Sequence, residues 1–356
     1  MTTSALAPRI AVLLLLAACS GGGGAPPTQP PPPATCTFVN PIGPGADPWV
    51  VRHEGAYYYI EVGDRGIDVF RSTELTAPKR NGVRVWTAPS TGWNSTNVWA
   101  PELHFIDGRW YIYYAAGSSG PPFTTQRSGV LRSVGADPQG RYEDLGQLDT
   151  GGEPTTRADD VWAIDLTVGR LNGQLYAVWS GWEANAATDR TPQHLYIATM
   201  SDPATISGRR VRLSSPVESW ERGTELDLQE GPEFLRNADH VFLIYSTRES
   251  WLPDYRLGQL RLASASADPL QPANWTKSGP VFASTASVFG VGHNGFTTSP
   301  DGTEPWIVYH AKTSTAPGWD RVIRMQRFTW NADGSPSFGT PAPTGGALPK
   351  PSGACD

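Results

Sequence analysis

Four carboxylates and one histidine recur along the chain at a nearly constant spacing. Successive members are 55, 63, 65 and 63 residues apart: Asp47, Glu102, Asp165, Glu230 and His293. Each stands beside a short apolar run that leads through a turn into a strand rich in aromatic residues. Carboxyl groups brought together can divide acid and base work between them, as the cleavage of a glycosidic bond requires. Such chemistry therefore requires a fold that brings these five distant positions together.

A repeat of about 60 residues with several short strands is typical of a propeller blade. The apolar runs alternate, are 4 to 8 residues long and are bounded by Gly, Pro, Asn and Asp, and no long segment has a helical period. The sequence therefore predicts an all-β fold, a five-bladed β-propeller. The innermost strands would carry the five repeated positions toward one central channel.

The first 35 residues differ in composition from the rest. Residues 1–18 contain a short apolar run after Arg9, too short for a permanent membrane span, and are predicted to be a signal peptide. Leu16 to Cys19 resembles the bacterial lipobox, so Cys19 is predicted to be lipidated; the alternative is an ordinary signal peptide cut nearby. Residues 19–35 are rich in Gly and then Pro, which predicts a tether. We expect an exported, membrane-anchored lipoprotein, periplasmic or at the cell surface.

Residues 36–356 are predicted to form one propeller domain. Hydrophobic residues make up 39% of the chain, and there are 14 Trp, which is ample for a core. The net charge is −6 and no basic run occurs, which argues against nucleic acid as a partner. Cys36 and Cys355 stand at opposite ends of this domain. In an exported protein they are expected to form a disulfide, the alternative being two free thiols.

Three of the repeated carboxylates could supply the chemistry. An inverting glycosidase needs an acid and a base about 6.5 to 9.5 Å apart, and a third carboxylate close to the acid would raise the pKa of the acid. Asp47, Asp165 and Glu230, on blades 1, 3 and 4, could fill these parts. Glu233 competes with Glu230, but strand alternation would let only one of them face the channel. Glu221 and Glu225 match no repeat and are expected to be solvated.

The blade motifs resemble those of glycoside hydrolase family 43. The resemblance is carried by ADPW from Ala46, WAPE from Trp99, Ile164-Asp165, EGP from Glu230 and GHN from Gly292. It implies a five-bladed propeller and an inverting mechanism in which Asp47 is the base, Asp165 tunes and orients the acid, and Glu230 is the acid. Glu102 would be a supporting carboxylate.

The same resemblance suggests the surrounding residues. Trp99 would line the substrate pocket. His293 would lie on the channel axis, where it would contact substrate or hold a hydrated calcium ion. An arginine of the last blade would bind the terminal sugar; Arg324 is favoured over Arg321. No cofactor is required by such a mechanism, and calcium would be the one ion expected in the channel.

The branch of the family indicated by EGPEFL and RMQRFTWNADG is the one that releases α-L-arabinofuranosyl units, from α-1,5-arabinan or arabinose side chains. The expected partner is thus a plant cell-wall polysaccharide or oligosaccharide such as arabinan or arabinoxylan. β-Xylosidase and endo-arabinanase activities are the enzymatic alternatives. A surface glycan-binding propeller without activity is the alternative of another class.

Overall fold

The structure is a computed structural model that describes Met1 and residues 36–151 and 160–355. The predicted signal peptide, the tether and Cys19 lie outside the described residues. Within these ranges no helix is long and apolar enough to cross a membrane.

The predicted all-β, five-bladed β-propeller is confirmed. Blades 1 and 2 are four-stranded antiparallel sheets. From the innermost strand outward, blade 1 contains Trp49–His53, Ala56–Gly63, Gly66–Ser72 and Val83–Thr87. In the same order, blade 2 contains Thr96–Ile106, Arg109–Gly117, Arg127–Ser133 and Tyr142–Gln147. Blade 3 has five strands: Ala163–Leu171, Gln174–Gly181, His194–Asp202, Thr205–Ile206 and Val211–Ser214.

Blades 4 and 5 repeat the four-stranded plan. Blade 4 contains Gln229–Asn237, His240–Thr247, Arg256–Leu262 and Trp275–Phe282, with the 3₁₀ turn Pro272–Asn274 before its last strand. Blade 5 contains Phe289–Thr298, Pro305–Lys312, Arg321–Arg327 and, as outer strand, Gly43–Pro44. Two small pairs complete the fold: Thr37–Val39 with Ala347–Pro349, and Thr329–Trp330 with Pro336–Ser337.

Strand alternation explains how the blades pack. On the strand Ala56–Gly63, Tyr58 faces a cluster shared with blade 2, whereas Tyr57 and Tyr59 face a cluster shared with blade 5. Equivalent clusters fill the other three junctions between neighbouring blades. Because successive side chains of a strand point to opposite faces, each central strand can be apolar on both sides. The aromatic-rich strands seen in the sequence are these doubly buried strands.

The two ends of the domain are joined at the closing blade. Gly43–Pro44 pairs with Arg321–Arg327, so the beginning of the chain supplies the outer strand of the last blade. Nearby, the predicted disulfide between Cys36 and Cys355 is present, with a sequence separation of 319. Both devices hold blade 1 against blade 5.

Removing this disulfide should destabilise the propeller. A crosslink that closes so long a loop restricts the unfolded chain, and its loss typically costs about 2 to 5 kcal/mol. We expect the double variant Cys36→Ser/Cys355→Ser to have a lower free energy of unfolding in urea. Reductant should weaken the wild-type protein to a similar degree and leave the double variant unchanged. Equal stability of the two proteins without reductant would contradict a stabilising role.

Candidate active site

The innermost strands share a bulge that shapes the channel. In blades 2 to 5 the innermost strand contains one extra residue relative to the strand paired with it, so that an advance of three residues on the innermost strand corresponds to two on its partner. The bulges span Trp99 to Glu102, Ile164 to Thr167, Glu230 to Glu233 and Gly292 to Gly295. The residue after the first position of each bulge has a positive φ: Ala100 (42°), Asp165 (53°), Gly231 (52°) and His293 (48°). Asp47, at 48°, has the same conformation in blade 1. Left-handed backbone is uncommon for residues other than glycine, and it often marks functional positions.

This bulge corrects the sequence alignment of the blades. Asp47, Asp165 and His293 are structurally equivalent, as predicted. In blades 2 and 4, however, the equivalent positions are Ala100 and Gly231, not Glu102 and Glu230. Glu230 therefore stands one residue before the equivalent position of blade 4. Glu102 stands two residues after the equivalent position of blade 2 and lies deeper along the channel.

A pocket of about 720 Å³ opens over the equivalent positions. Asp47, Asp165, Glu230 and His293 line it together with Trp99, so the structure brings together five of the predicted site residues. Its walls are largely aromatic: Trp99, Phe123, Trp162, Trp251 and Trp319. Predicted pocket residue Trp99 packs edge-to-face on Phe123 with ring centroids 5.1 Å apart. The pocket thus offers flat apolar faces around a charged floor, a combination suited to a sugar ring.

Asp47 is held as a carboxylate by cationic and polar neighbours. Oδ1 of Asp47 lies 3.0 Å from Nη1 of Arg321, 3.3 Å from Nδ1 of His293 and 3.2 Å from Nδ1 of His310. Burial pushes the pKa of Asp47 upward, but the charges of Arg321 and His293 outweigh it and place the pKa well below its usual range. Asp47 is consequently ionised at any ordinary working pH.

Asp165 and Glu230, unlike Asp47, have raised pKa values. Burial is the main cause that raises the pKa of each to about 7, and the negative charge of Asp47 adds to the effect at both. The Tyr255 hydroxyl donates a hydrogen bond to Oε1 of Glu230 (2.8 Å), and the Gly231 N–H donates one to Oδ2 of Asp165 (3.1 Å). The site therefore contains one ionised carboxylate beside two carboxyl groups that can hold protons near neutral pH, and such a division suits paired acid–base chemistry.

A second layer of polar groups lies deeper in the channel. Glu102 is 2.8 Å from Nε2 of His104, and Glu233 is hydrogen-bonded to Glu102 and lies 3.5 Å from Oγ1 of Thr167. Burial, together with the charge of Glu102, raises the pKa of Glu233 well above its usual value. The expectation that only one of Glu230 and Glu233 could be buried at the channel is wrong, because the intervening bulge breaks the strict alternation of the strand. Glu102 supports this layer and does not line the pocket.

Arg321, and not Arg324, reaches the pocket. The two residues are three positions apart on one strand, so they point to opposite faces. Arg324 is buried on the other face, where its guanidinium donates to Oγ1 of Thr344 at 3.1 Å and to the carbonyl oxygen of Ala342. The expected arginine of the last blade is therefore present in the pocket, but at a different position from the one favoured.

His293 does not belong to a cluster of metal ligands. Its Nδ1 lies between Asp47 Oδ1 (3.3 Å) and Asp165 Oδ2 (3.9 Å), and its backbone N–H donates to Oγ of Ser246 (2.7 Å). Calcium prefers six or more oxygen ligands, and residues 36–151 and 160–355 contain no group of three or more His, Cys, Asp or Glu that could hold a metal. The His293 ring contacts Asp47 and Asp165 directly, and a hydrated calcium ion held through water at His293 stays a prediction.

Sequence reasoning missed Tyr255 and His310, which contact Glu230 and Asp47 from behind the pocket. Both residues lie in ordinary apolar strand or loop contexts, Tyr255 just before Arg256–Leu262 and His310 in YHAK of Pro305–Lys312. Neither stands at a repeated position, so no spacing signal could single them out.

Fold and site together define a class of protein. A propeller whose axial channel ends in an ionised carboxylate facing protonatable carboxyl groups, under aromatic walls, is built as a glycoside hydrolase.

The comparisons identify the family. The model of glycosyl hydrolases family 43 matches residues 38–336, and the chain belongs to this family. The chain is 38% identical over 328 residues to an extracellular exo-α-(1→5)-L-arabinofuranosidase of Streptomyces avermitilis, covering 87% of this chain and 64% of the relative. It is 35% identical to α-L-arabinofuranosidase 43 of Humicola insolens, covering 84% of this chain and 62% of that relative. The chain thus spans less than two thirds of these two relatives.

A solved structure is similar to this chain over most of its length. The crystal structure of an α-L-arabinofuranosidase from Lactobacillus brevis superposes with a TM-score of 0.77 at 32% identity, covering 86% of this chain and 98% of that one.

Proposed function

We propose that the protein is an inverting α-L-arabinofuranosidase that removes terminal arabinofuranosyl units from arabinan or from arabinose side chains of plant cell-wall polysaccharide. The observation that carries the mechanism is the opposite state of two carboxyl groups in one pocket. Asp47 is kept ionised by Arg321 and His293, whereas burial keeps Glu230 able to hold a proton. The choice of sugar is supported by the three relatives described above, each of which is named an arabinofuranosidase.

In the proposed reaction Asp47 is the general base and Glu230 the general acid. Asp47 accepts a proton from a water molecule while the oxygen of that water bonds to the anomeric carbon. Glu230 gives its proton to the glycosidic oxygen as the bond from that oxygen to the anomeric carbon breaks. Because water enters opposite the leaving group, the configuration inverts. The next cycle requires Asp47 to lose its proton and Glu230 to regain one.

Asp165 is proposed to maintain the proton on Glu230. It shares the pocket floor with Glu230, and the negative charge of Glu230 raises the pKa of Asp165; two such neighbouring carboxyl groups resist ionising together. The Gly231 N–H, next to Glu230 in the chain, donates to Asp165. Asp165 thereby also fixes the backbone from which the acid projects.

The test of this function is product analysis with the domain from Cys36 onward. The protein should be incubated separately with linear α-1,5-arabino-oligosaccharides and with β-1,4-xylo-oligosaccharides. Release of arabinose alone from the start, appearing first as the β-anomer by NMR, is the expected result. A ladder of shorter arabino-oligomers would indicate an endo-arabinanase, and xylose a β-xylosidase. No product from folded protein would favour the glycan-binding alternative.

The pH dependence of the reaction should be asymmetric. Glu230 must be protonated, and burial raises its pKa to about 7, so kcat/KM should fall as pH rises through about 7. Asp47 must be ionised, and its lowered pKa keeps it so even below the ordinary Asp range of about 4. We therefore expect activity to persist to about pH 4 and to decline on the alkaline side. A decline on the acidic side centred near pH 6 would contradict the assignment of Asp47.

We also propose that the chain is exported and lipid-anchored through Cys19. The Streptomyces avermitilis relative is named extracellular, and the lipobox-like segment supplies the anchoring cysteine. Metabolic labelling of the full chain with a radioactive fatty acid tests this: label should appear in the wild type and be absent from Cys19→Ala. Equal labelling of both would refute the anchor.

A further inference from the structure

Two buried rings form a contact behind the pocket. Tyr255 of blade 4 and His310 of blade 5 stack almost parallel, with ring centroids 5.4 Å apart and an interplanar angle of 9°. Both side chains are fully buried. They join neighbouring blades directly beneath the carboxyl groups of the pocket.

Each ring touches a different catalytic carboxyl residue. The Tyr255 hydroxyl donates to Oε1 of Glu230 at 2.8 Å. Nδ1 of His310 lies 3.2 Å from both the backbone N and Oδ1 of Asp47. A neutral ring accepts the Asp47 N–H when its proton is on Nε2 and donates to the Asp47 carboxylate when its proton is on Nδ1, so either tautomer ties the ring to Asp47. Burial and the charge of Arg321 lower the pKa of His310 to about 3, which keeps the ring neutral.

The backbone beside the stacked rings has no room for a further side chain. Gly292 pairs with His310 in the sheet, and a Cβ on Gly292 would lie 2.2 Å from Cε1 of Tyr255. A side chain at Gly292 would therefore displace Tyr255. The residue that His310 contacts, Asp47, has a φ of 48°, which is unfavourable for a residue other than glycine. The hydrogen bond offsets part of that cost.

We propose that the stacked pair Tyr255–His310 positions Glu230 and Asp47 relative to each other and so sets the spacing that admits the attacking water. The inference rests on the proposed function, because it takes Glu230 as the acid and Asp47 as the base. Inversion needs room for one water between these groups, and a displacement of 1 Å can cost about 10²-fold in rate. Tyr255 and His310 are positioning residues in this scheme, since they act through Glu230 and Asp47 and neither lines the pocket.

Substitutions at His310 separate positioning from simple packing. His310→Asn can place an amide oxygen or nitrogen near the Nδ1 position, whereas His310→Gln carries its amide group farther out, toward the Nε2 position. His310→Phe keeps a ring for stacking and has no polar atom to contact Asp47. We expect kcat for arabinobiose to fall about 10²-fold in His310→Phe and His310→Gln with KM changed less than about threefold. His310→Asn should recover at least about a tenth of the wild-type kcat.

Substitutions at the tyrosine test the other half of the pair. Tyr255→Phe removes one hydroxyl and should lower kcat about tenfold, again with little change in KM. The matched control is Tyr142→Phe, in which a buried tyrosine far from the pocket loses its hydrogen bond to the Pro138 carbonyl (3.0 Å). This control should keep wild-type kcat. In the double variant Tyr255→Phe/His310→Phe the loss should be smaller than the product of the single losses, because both disturb the same spacing.

The outcomes distinguish this proposal from the function on which it rests. Thermal unfolding first establishes that each variant is folded, and the comparison of Asn with Gln at position 310 decides the matter even where the Phe variant does not fold. Equal activity of those two variants, or losses confined to KM, would overturn the positioning role while leaving an active wild type as an arabinofuranosidase. A wild-type protein inactive on every arabinoside would overturn both.

Discussion

Replacing Asp47 with asparagine is expected to lower kcat by about 10³-fold or more while the protein stays folded. Asn has nearly the same shape as Asp but cannot accept a proton from water, and general base catalysis contributes about 10² to 10⁴ in rate. The substitution also leaves Arg321 and His293 facing an uncharged group, so the variant loses the ion pairs that hold these two side chains in the pocket. Initial rates of arabinose release at saturating substrate measure the effect.

The matched control for this variant is Asp107→Asn. Asp107 also pairs with an arginine, through both of its oxygens with Nη2 of Arg170 at 3.0 and 2.8 Å, but it lies on the exposed surface. Surface ion pairs contribute little to stability, so Asp107→Asn should keep wild-type kcat and nearly wild-type stability. If Asp47→Asn retained more than about a tenth of wild-type kcat, another group would have to be the base.

The repeat made the fold and part of the site predictable from sequence. A spacing of about 60 residues with short alternating strands has few structural solutions, and a propeller places the start of each blade at the axis. Asp47, Asp165 and His293 could be assigned to one site for this reason, although 55 to 65 residues separate the repeated positions of successive blades. The two terminal cysteines followed from the same closure of the ring.

Local departures from the repeat were beyond prediction. The bulge between Glu230 and Glu233 is a backbone feature stabilised by contacts with other blades, and strand periodicity cannot reveal it. As a result, two glutamates three positions apart are both buried at the channel, where alternation predicted one. The choice between Arg321 and Arg324 depended on the same kind of information, namely which face of the strand meets the pocket.

The burial of polar groups outside the repeat also could not be predicted from the sequence. Glu221 was expected to be solvated, but its side chain is 0% exposed and pairs with Nζ of Lys277 at 2.8 Å. It also accepts hydrogen bonds from Gln229 (2.6 Å) and Tyr245 (2.7 Å). A carboxylate can be buried when it is fully paired in this way, and its partners lie 8 to 56 residues away along the chain. Only the folded structure brings them together, as it does for Tyr255 and His310.

Replacing Glu230 with glutamine should produce a loss that depends on the leaving group. Gln cannot protonate the glycosidic oxygen, so kcat for arabinobiose should fall by about 10³-fold or more. An aryl arabinofuranoside with an acidic phenol departs without that proton, and its loss should be below about tenfold at the chemical step. The alkaline decline set by the raised pKa of Glu230 should disappear for this substrate, since no group then has to be protonated. Rates over pH 4 to 9 on both substrates measure these effects.

Glu143→Gln is the control, because Glu143 is exposed, pairs with Arg132 at 2.8 Å on the outer strands of blade 2, and does not line the pocket. It should retain the wild-type rates and pH profile on both substrates. Equal losses of Glu230→Gln on the two substrates would contradict its role as acid, because a misfolded or distorted site slows every substrate, whereas a missing proton slows only those that need one. The dependence of the loss on the leaving group thus distinguishes a role of Glu230 as proton donor from a purely structural role in its contact with Tyr255.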